Sequence, residues 1–358
     1  MITIKGFAPD ELGIADESIK QLSGIRFYNI KSEPFRIYGL YDAKHQPSYR
    51  RIPESVAEAT SEGVRGLNFN TAGGRIRFRT TSNYIALKLK SNGAAQMTNM
   101  CLIGSSGFDL YLSRNGRDTF HSVLRPPYEY RDGYESLAML PAGVKDVTIN
   151  FPLYSGAVEV WLGLDSESTL ERRKDYQIEK PALFYGSSIT QGGCASRPGM
   201  AYEAIISRRL DLNYINLGFS GNAKGEDAIV DYMASLDYSV FVSDYDHNAP
   251  SAEHLAATHE KMYKKIRAAH PEVPVVFVGK PDFWLNGEDA VKRRDVIYTT
   301  YNNARLRGEK VIFVDGYSLF HGEMREDCTV DGCHPNDLGM ARMADVIGKA
   351  VEFALAWN

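Results

Sequence analysis

Two serines and one aspartate–histidine pair have the residue types and spacing to do chemistry. Ser187 and Ser188 sit in Gly186-Ser-Ser-Ile-Thr190, directly after the apolar run 181–185. Asp331 and His334 lie three residues apart in Asp331-Gly-Cys-His-Pro335. A serine hydroxyl is a poor nucleophile until a base takes its proton. A histidine can do that, and a carboxylate can hold the imidazole in the right tautomer. A turn set by Gly332 and Pro335 can put the carboxylate against one ring nitrogen and leave the other free. The chemistry is acyl transfer, whose tetrahedral intermediate needs hydrogen-bond donors for its oxyanion. A glycine lets a backbone N–H approach a ligand closely, and an asparagine side chain offers two donors. Glycine and asparagine both occur in the polar segment Asn216–Asn222, and an asparagine in Ser243–Pro250. The plain alternative for either serine is a turn residue that caps the next helix.

These segments need elements to hold them. After about residue 180, short β-branched or aromatic runs recur at 182–185, 214–217, 238–242, 275–278 and 311–314. Helical stretches fill the gaps, as at 252–269 and 338–356. Met340, Met343, Ile347, Val351 and Ala354 recur there at helical spacing. Strands alternating with helices predict a parallel sheet covered on both faces, with functional groups gathered at the carboxyl ends of its strands. All four polar segments follow a strand or precede the last helix.

From about 20 to 165 the rhythm is different. Ile76 and Phe78 alternate with three arginines in Gly74–Thr80, and Ile85, Leu87 and Leu89 continue with period two. Turn signals such as Ser91-Asn-Gly93 and Arg114-Asn-Gly116 separate the runs, which predicts a β-sandwich or jelly roll. The charged, aperiodic stretch 170–180 reads as a linker. The expected organisation is therefore an N-terminal all-β domain over 1–172 and an α/β domain over 173–358, with no internal repeat.

Bulk properties narrow the partners. The chain has 358 residues, 44% hydrophobic and 24% charged, with a formal charge of -4. That suits a soluble enzyme-sized protein and gives no reason to expect nucleic acid or an anionic membrane as partner. The first residues lack the basic start and apolar core of a signal peptide, and no run nears the ~18 apolar residues of a membrane helix. The cytoplasm is the expected compartment. Four cysteines, Cys101, Cys194, Cys328 and Cys333, are too few for a disulfide framework, so reduced thiols are expected.

Taken in order, the polar segments resemble the four blocks of the SGNH (GDSL) hydrolase superfamily. Gly186-Ser-Ser-Ile-Thr190 matches the first, Ser220-Gly221-Asn222 the second, the segment holding Asn248 the third, and Asp331-x-x-His334 the last. Gly107-Phe-Asp-Leu-Tyr111 also resembles the signature of a two-domain branch with an N-terminal β-sandwich. The resemblance implies Ser188 as nucleophile, His334 as base and Asp331 as its orienting acid. It implies an oxyanion hole from the amides of Ser188 and Gly221 and the side chain of Asn248. It further implies an esterase, acting on short acyl and above all O-acetyl groups of carbohydrates, with no cofactor and no metal. A small-molecule or oligosaccharide ester is the expected partner, and a homo-oligomer is compatible with the sequence. The alternatives are a short-chain lipase, a thioesterase, or a carbohydrate-binding protein that has lost activity. Two departures stand out. Ser187 occupies the place where the first block usually has Asp, and the third block reads Asp246-His247-Asn248-Ala249 without its usual glycine and trailing acid.

Other residues carry weaker expectations. Arg197 and Trp284 are candidates to line the substrate cleft. Cys194 reads as a small buried filler, and Asp109 as a turn acid bonding backbone amides. His321, Cys328, Cys333 and His334 share one region but lack the paired spacing of a zinc site.

Overall fold

The computed structural model describes residues 4–281 and 287–357. The chain packs as two units, one of Met1–Arg51, Phe69–Asp175 and Ser196–Gly199, the other of Ile52–Asn68, Tyr176–Ala195 and Met200–Asn358.

The first unit is antiparallel. Its strands are β1 (Ile25–Asn29), β2 (Arg36–Tyr38), β3 (Arg75–Thr80), β4 (Tyr84–Lys90), β5 (Phe108–Arg114), β6 (Arg117–Leu124), β7 (Gly133–Met139), β8 (Lys145–Asn150), β9 (Glu159–Asp165) and β10 (Leu170–Glu171). One sheet runs β1-β9-β4-β7, the other β10-β3-β8-β5-β6 with β2 also on β3. The alternation seen in the sequence is the core itself. Ile76 and Phe78 of β3, Ile85, Leu87 and Leu89 of β4, and Leu110 and Leu112 of β5 meet Val147, Ile149, Val160 and Leu162. Side chains two apart share a face, so both sheets turn one apolar face inward as a sandwich. The charged stretch 170–180 is more ordered than a linker. It contains β10 and the start of a long strand, and Arg173 is buried in a forked pair with Asp118, its Nη2 2.6 Å from Oδ1 and its Nη1 3.0 Å from Oδ2. Ion pairing orders charged residues without leaving any periodicity to read.

The second unit holds five parallel strands: β11 (Ile178–Gly186), β12 (Leu212–Gly218), β13 (Val240–Asp244), β14 (Val275–Val278) and β15 (Val311–Val314). Their order is β12-β11-β13-β14-β15. β13 and β14 are buried throughout, as a sheet covered on both faces requires. Helices α1 (Glu17–Lys20) and α4 (Leu102–Ser106) belong to the first unit. The second has α2 (Glu54–Thr60), α3 (Glu62–Leu67), α5 (Ser188–Gln191), α6 (Tyr202–Leu210), α7 (Asp227–Ser235), α8 (Ala252–Ala269), α9 (Gly287–Leu306) and α10 (Asp337–Leu355). α6 and α10 pack together, and Tyr202 of α6 meets Phe184 of β11 edge-on at 5.8 Å. α7, α8 and α9 share the opposite core with Leu183, Tyr185, Phe241 and Phe277. Asn336 caps α10 by accepting from Leu338 N and Gly339 N, and the predicted stripe from Met340 to Ala354 is buried.

Two segments depart from the sequence reading: residues 196–199, placed in the C-terminal half, pack with the first unit, and one N-terminal stretch packs with the second. Residues 52–68, taken as part of an uninterrupted β-rich half, form α2 and α3 and fold with the second unit. Ile52, Ala57 and Val64 join the core of α7 and β12, and Asn68 closes the segment by bonding both the amide and the carbonyl of Ile52. Two helices of seven and six residues are too short for a helical stripe to stand out.

Candidate active site

The sheet order β12-β11-β13-β14 means that the chain leaves β11 toward one edge of the sheet and β13 toward the other. Such a switch point opens a crevice beyond the carboxyl ends of the strands. Gly186, the last residue of β11, pairs with Gly218 of β12 and Asp244 of β13, so three polar segments emerge side by side. Gly186 and Gly218 are dictated by space. A Cβ on Gly186 would lie 2.1 Å from Thr190 Oγ1 and 2.4 Å from Asp244 O; one on Gly218 would lie 2.2 Å from Gln191 N.

The chain then turns at once into the short helix α5. Ser187 is its cap, accepting from Ile189 N at 3.1 Å, and Ser188 is its first residue. The residue that departs from the usual first block thus does the capping work an aspartate could do there. Gly192 ends the helix in the left-handed region at φ 104°.

Ser188 Oγ lies 2.9 Å from His334 Nε2. His334 Nδ1 lies 2.8 Å from Asp331 Oδ2. Asp331 is itself held: its Oδ1 accepts from Cys333 N at 3.1 Å and His334 N at 2.8 Å. Gly332, at φ +83°, makes this tight turn accessible, and Val330 N donates to His334 O to close it. Cys194 N donates to Pro335 O, tying the loop after α5 to the same turn. Residues 146 apart in sequence thereby form one line of hydrogen bonds.

Two other predicted residues sit on loops tied to this frame. Ser220 N donates to Gln191 Oε1 of α5 at 2.9 Å, which fixes the loop carrying Gly221. Gly221 is exposed, at φ +71°, and its amide has no acceptor among the described residues. Asn248 Oδ1 accepts from Ala223 N at 3.2 Å, which orients the side-chain amide, and no described residue takes a bond from Nδ2. Arg293 of α9 clamps the Asn248 loop, donating to the carbonyls of Asp246 and Ala249 at 2.9 and 3.0 Å.

Several positioning residues escaped the sequence reading. Asp244 is buried and accepts from Thr190 Oγ1 and Tyr202 Oη, both at 3.1 Å. Burial pushes its carboxyl up to about 7. Asn216 donates to Thr190 O and accepts from Gly218 N. Thr190 closes the Gly186–Thr190 segment and Gln191 follows it, but nothing in their types marked them as supports for the turn.

The remaining candidates sort as follows. Cys194 is buried, and burial with Asp331 and Cys333 beside it pushes its thiol up to about 12, far from a thiolate nucleophile. The residues weighed for zinc do not assemble. Cys328 is held by Arg342, and the described residues gather Cys194, Asp331 and His334 instead. Arg197 belongs to the first unit: its Nη1 donates to Tyr111 Oη at 2.6 Å and Asp109 Oδ2 at 3.3 Å, and its guanidinium lies 4.0 Å from the Phe120 ring centre. Asp109 also accepts from Gly199 N at 2.8 Å, the backbone bond expected of it. Trp284 lies outside the described residues.

The chain thus joins an antiparallel sandwich to a parallel α/β sheet with polar loops at its switch point. Residues 179–352 match the GDSL-like lipase/acylhydrolase family, and residues 25–170 match the GxDLY family, the N-terminus of SGNH-hydrolase-type esterases. The chain belongs to the SGNH (GDSL) hydrolases and is an esterase of that class. No curated protein matches the sequence significantly. Among solved structures it is similar to one described as a GDSL-like lipase from Bacteroides ovatus ATCC 8483, at 26% identity and TM-score 0.83, covering 93% of this chain and 98% of that one. It is similar to a salicylyl-acyltransferase from a tetracycline biosynthetic pathway at 20% identity and TM-score 0.72, covering 93% and 99%. It is also similar to an acetyl xylan esterase from the rumen bacterium Butyrivibrio proteoclasticus at 14% identity and TM-score 0.60, covering 94% and 100%. The last two likenesses are of fold. No helix among the described residues is long and apolar enough to cross a membrane.

Proposed function

We propose that this esterase removes acetyl groups from carbohydrate hydroxyls through an acyl-enzyme on Ser188. The observation that carries the acyl-enzyme is the unbroken line from Ser188 Oγ through His334 to Asp331, at 2.9 and 2.8 Å, and the likeness to an acetyl xylan esterase supports the acetyl-sugar substrate. Ser188 attacks the ester carbonyl while His334 Nε2 takes its proton. Asp331 keeps the other ring nitrogen protonated and stabilises the imidazolium. The amides of Ser188 and Gly221 and the Asn248 side chain hold the oxyanion. Collapse of the intermediate expels the sugar alkoxide, which His334 protonates. Water then attacks the acetyl-serine with His334 as base, acetate leaves, and Ser188 regains its proton. Side chains and backbone amides carry every step. The reading places the enzyme in the cytoplasm, acting on small or oligosaccharide esters, without nucleic acid or membrane as partner.

The test is acetate release from acetylated xylo- and manno-oligosaccharides by the purified protein and its Ser188→Ala variant. Release that disappears in the variant supports the reading. Hydrolysis of p-nitrophenyl octanoate but not acetate would move it to a lipase. Inert proteins that still bind the sugars would replace it with a binding module.

A further inference from the structure

We propose that Cys194, Asp331 and His334 form an inhibitory site for zinc. Each offers one ligand atom, and the three atoms lie within 4.8 Å of one another. A thiol sulfur, an imidazole nitrogen and a carboxylate oxygen make the mixed donor set that zinc takes and that magnesium and calcium, which need oxygen shells, do not. Zinc bonds of roughly 2.0–2.3 Å draw such atoms together by small side-chain movements. The backbone is already prepared for this. Cys194 N is bonded to Pro335 O, one residue past His334, and both Asp331 and His334 are fixed in the same turn.

The described bonds of His334 make the consequence specific. Nδ1 faces Asp331 and Nε2 faces Ser188. An ion that takes Nδ1 displaces the Asp331 bond; one that takes Nε2 displaces the Ser188 bond. Either removes a link of the proposed triad. As zinc binds, the Cys194 thiol gives its proton to solvent and its sulfur lone pair to the ion, with no oxidation. Three protein ligands leave the fourth tetrahedral position to water. Binding itself does not depend on the proposed mechanism, whereas inhibition rests on it.

Two readouts keep those apart. Cadmium, which prefers the same donors, is titrated into the full-length Ser188→Ala protein and followed by the ultraviolet cadmium–thiolate charge-transfer band. Zinc is titrated into the metal-free wild type with p-nitrophenyl acetate as substrate. The expected results are one cadmium per chain with a thiolate band, and zinc inhibition reversed by a chelator. Cys194→Ala should lose the band and need about 100-fold more zinc for half-inhibition, at or above the 10–100-fold that losing a partner outside the ligand set costs. Cys194→Ser, closer in volume, should behave the same way, and Cys333→Ala should keep both properties. Unchanged zinc sensitivity in both Cys194 variants, loss of the band in Cys333→Ala alone, or activation by zinc would overturn the site. A normal cadmium band in a protein inert on every ester would sink the esterase mechanism and leave the metal site standing.

Discussion

Thr190 donates its hydroxyl to Asp244 at 3.1 Å, so the helical turn that begins with Ser188 is tied to the carboxyl end of the neighbouring strand. Tyr202 donates to the same carboxylate oxygen. Burial raises the Asp244 pKa from 3.8 to about 7, and it also holds the buried Glu203 carboxyl well above its ordinary value. In the folded protein Asp244 therefore keeps a proton that the unfolded chain releases at lower pH. Its contribution to stability is complete below about pH 4 and is lost as pH rises through about 7. Asp244→Asn should flatten the fall of the melting temperature over that window, leaving the part due to Glu203. Calorimetric scans at several pH values measure this, and an unchanged slope would contradict it.

Asp331→Asn separates geometry from chemistry. The asparagine carbonyl can still accept from the amides of Cys333 and His334, so the turn survives. Its amide nitrogen would face His334 Nδ1 and favour the wrong tautomer. The turnover number should fall by roughly 10⁴ with little change in KM or melting temperature. A fall of only a few-fold would remove Asp331 from the proposed triad.

Asn248→Ala tests the oxyanion reading. Its Oδ1 is held by Ala223, which leaves Nδ2 as the proposed oxyanion donor. Loss of such a donor costs about 10² to 10³ in turnover number. Since the donor acts on developing charge, KM should move little. A rise in KM with turnover unchanged would make Asn248 a ground-state binder instead.

Gly218→Ala should damage stability before chemistry. The added Cβ would sit 2.2 Å from Gln191 N and 2.5 Å from Thr190 C, and backbone cannot swing aside as a side chain can. A loss of about 1–3 kcal/mol or more in denaturant unfolding is expected. Full stability would mean that α5 shifts as a body, and the Ser188–His334 distance would then show it through activity.

The sequence by itself determined the two rhythms, and with them the two sheet types. Alternation in Ile76, Phe78, Ile85 and Leu87 is local, because pleating alone decides which face a side chain takes. The α10 stripe is local for the same reason. The segments around Ser188, Gly221, Asn248 and the Asp331–His334 pair were legible only as an ordered set resembling the SGNH hydrolase blocks, since each short run is weak by itself. Packing decided the rest. The charged stretch 170–180 became ordered through Arg173 and Asp118, and residues 52–68 became helices within the second unit. The support beneath Ser188 came from Asp244, Tyr202 and Asn216, which are ordinary residues until the strand order β12-β11-β13 sets their segments side by side. Strand order depends on contacts between residues far apart in the chain. A one-dimensional pattern records which face a residue prefers, and not which neighbour it will meet there.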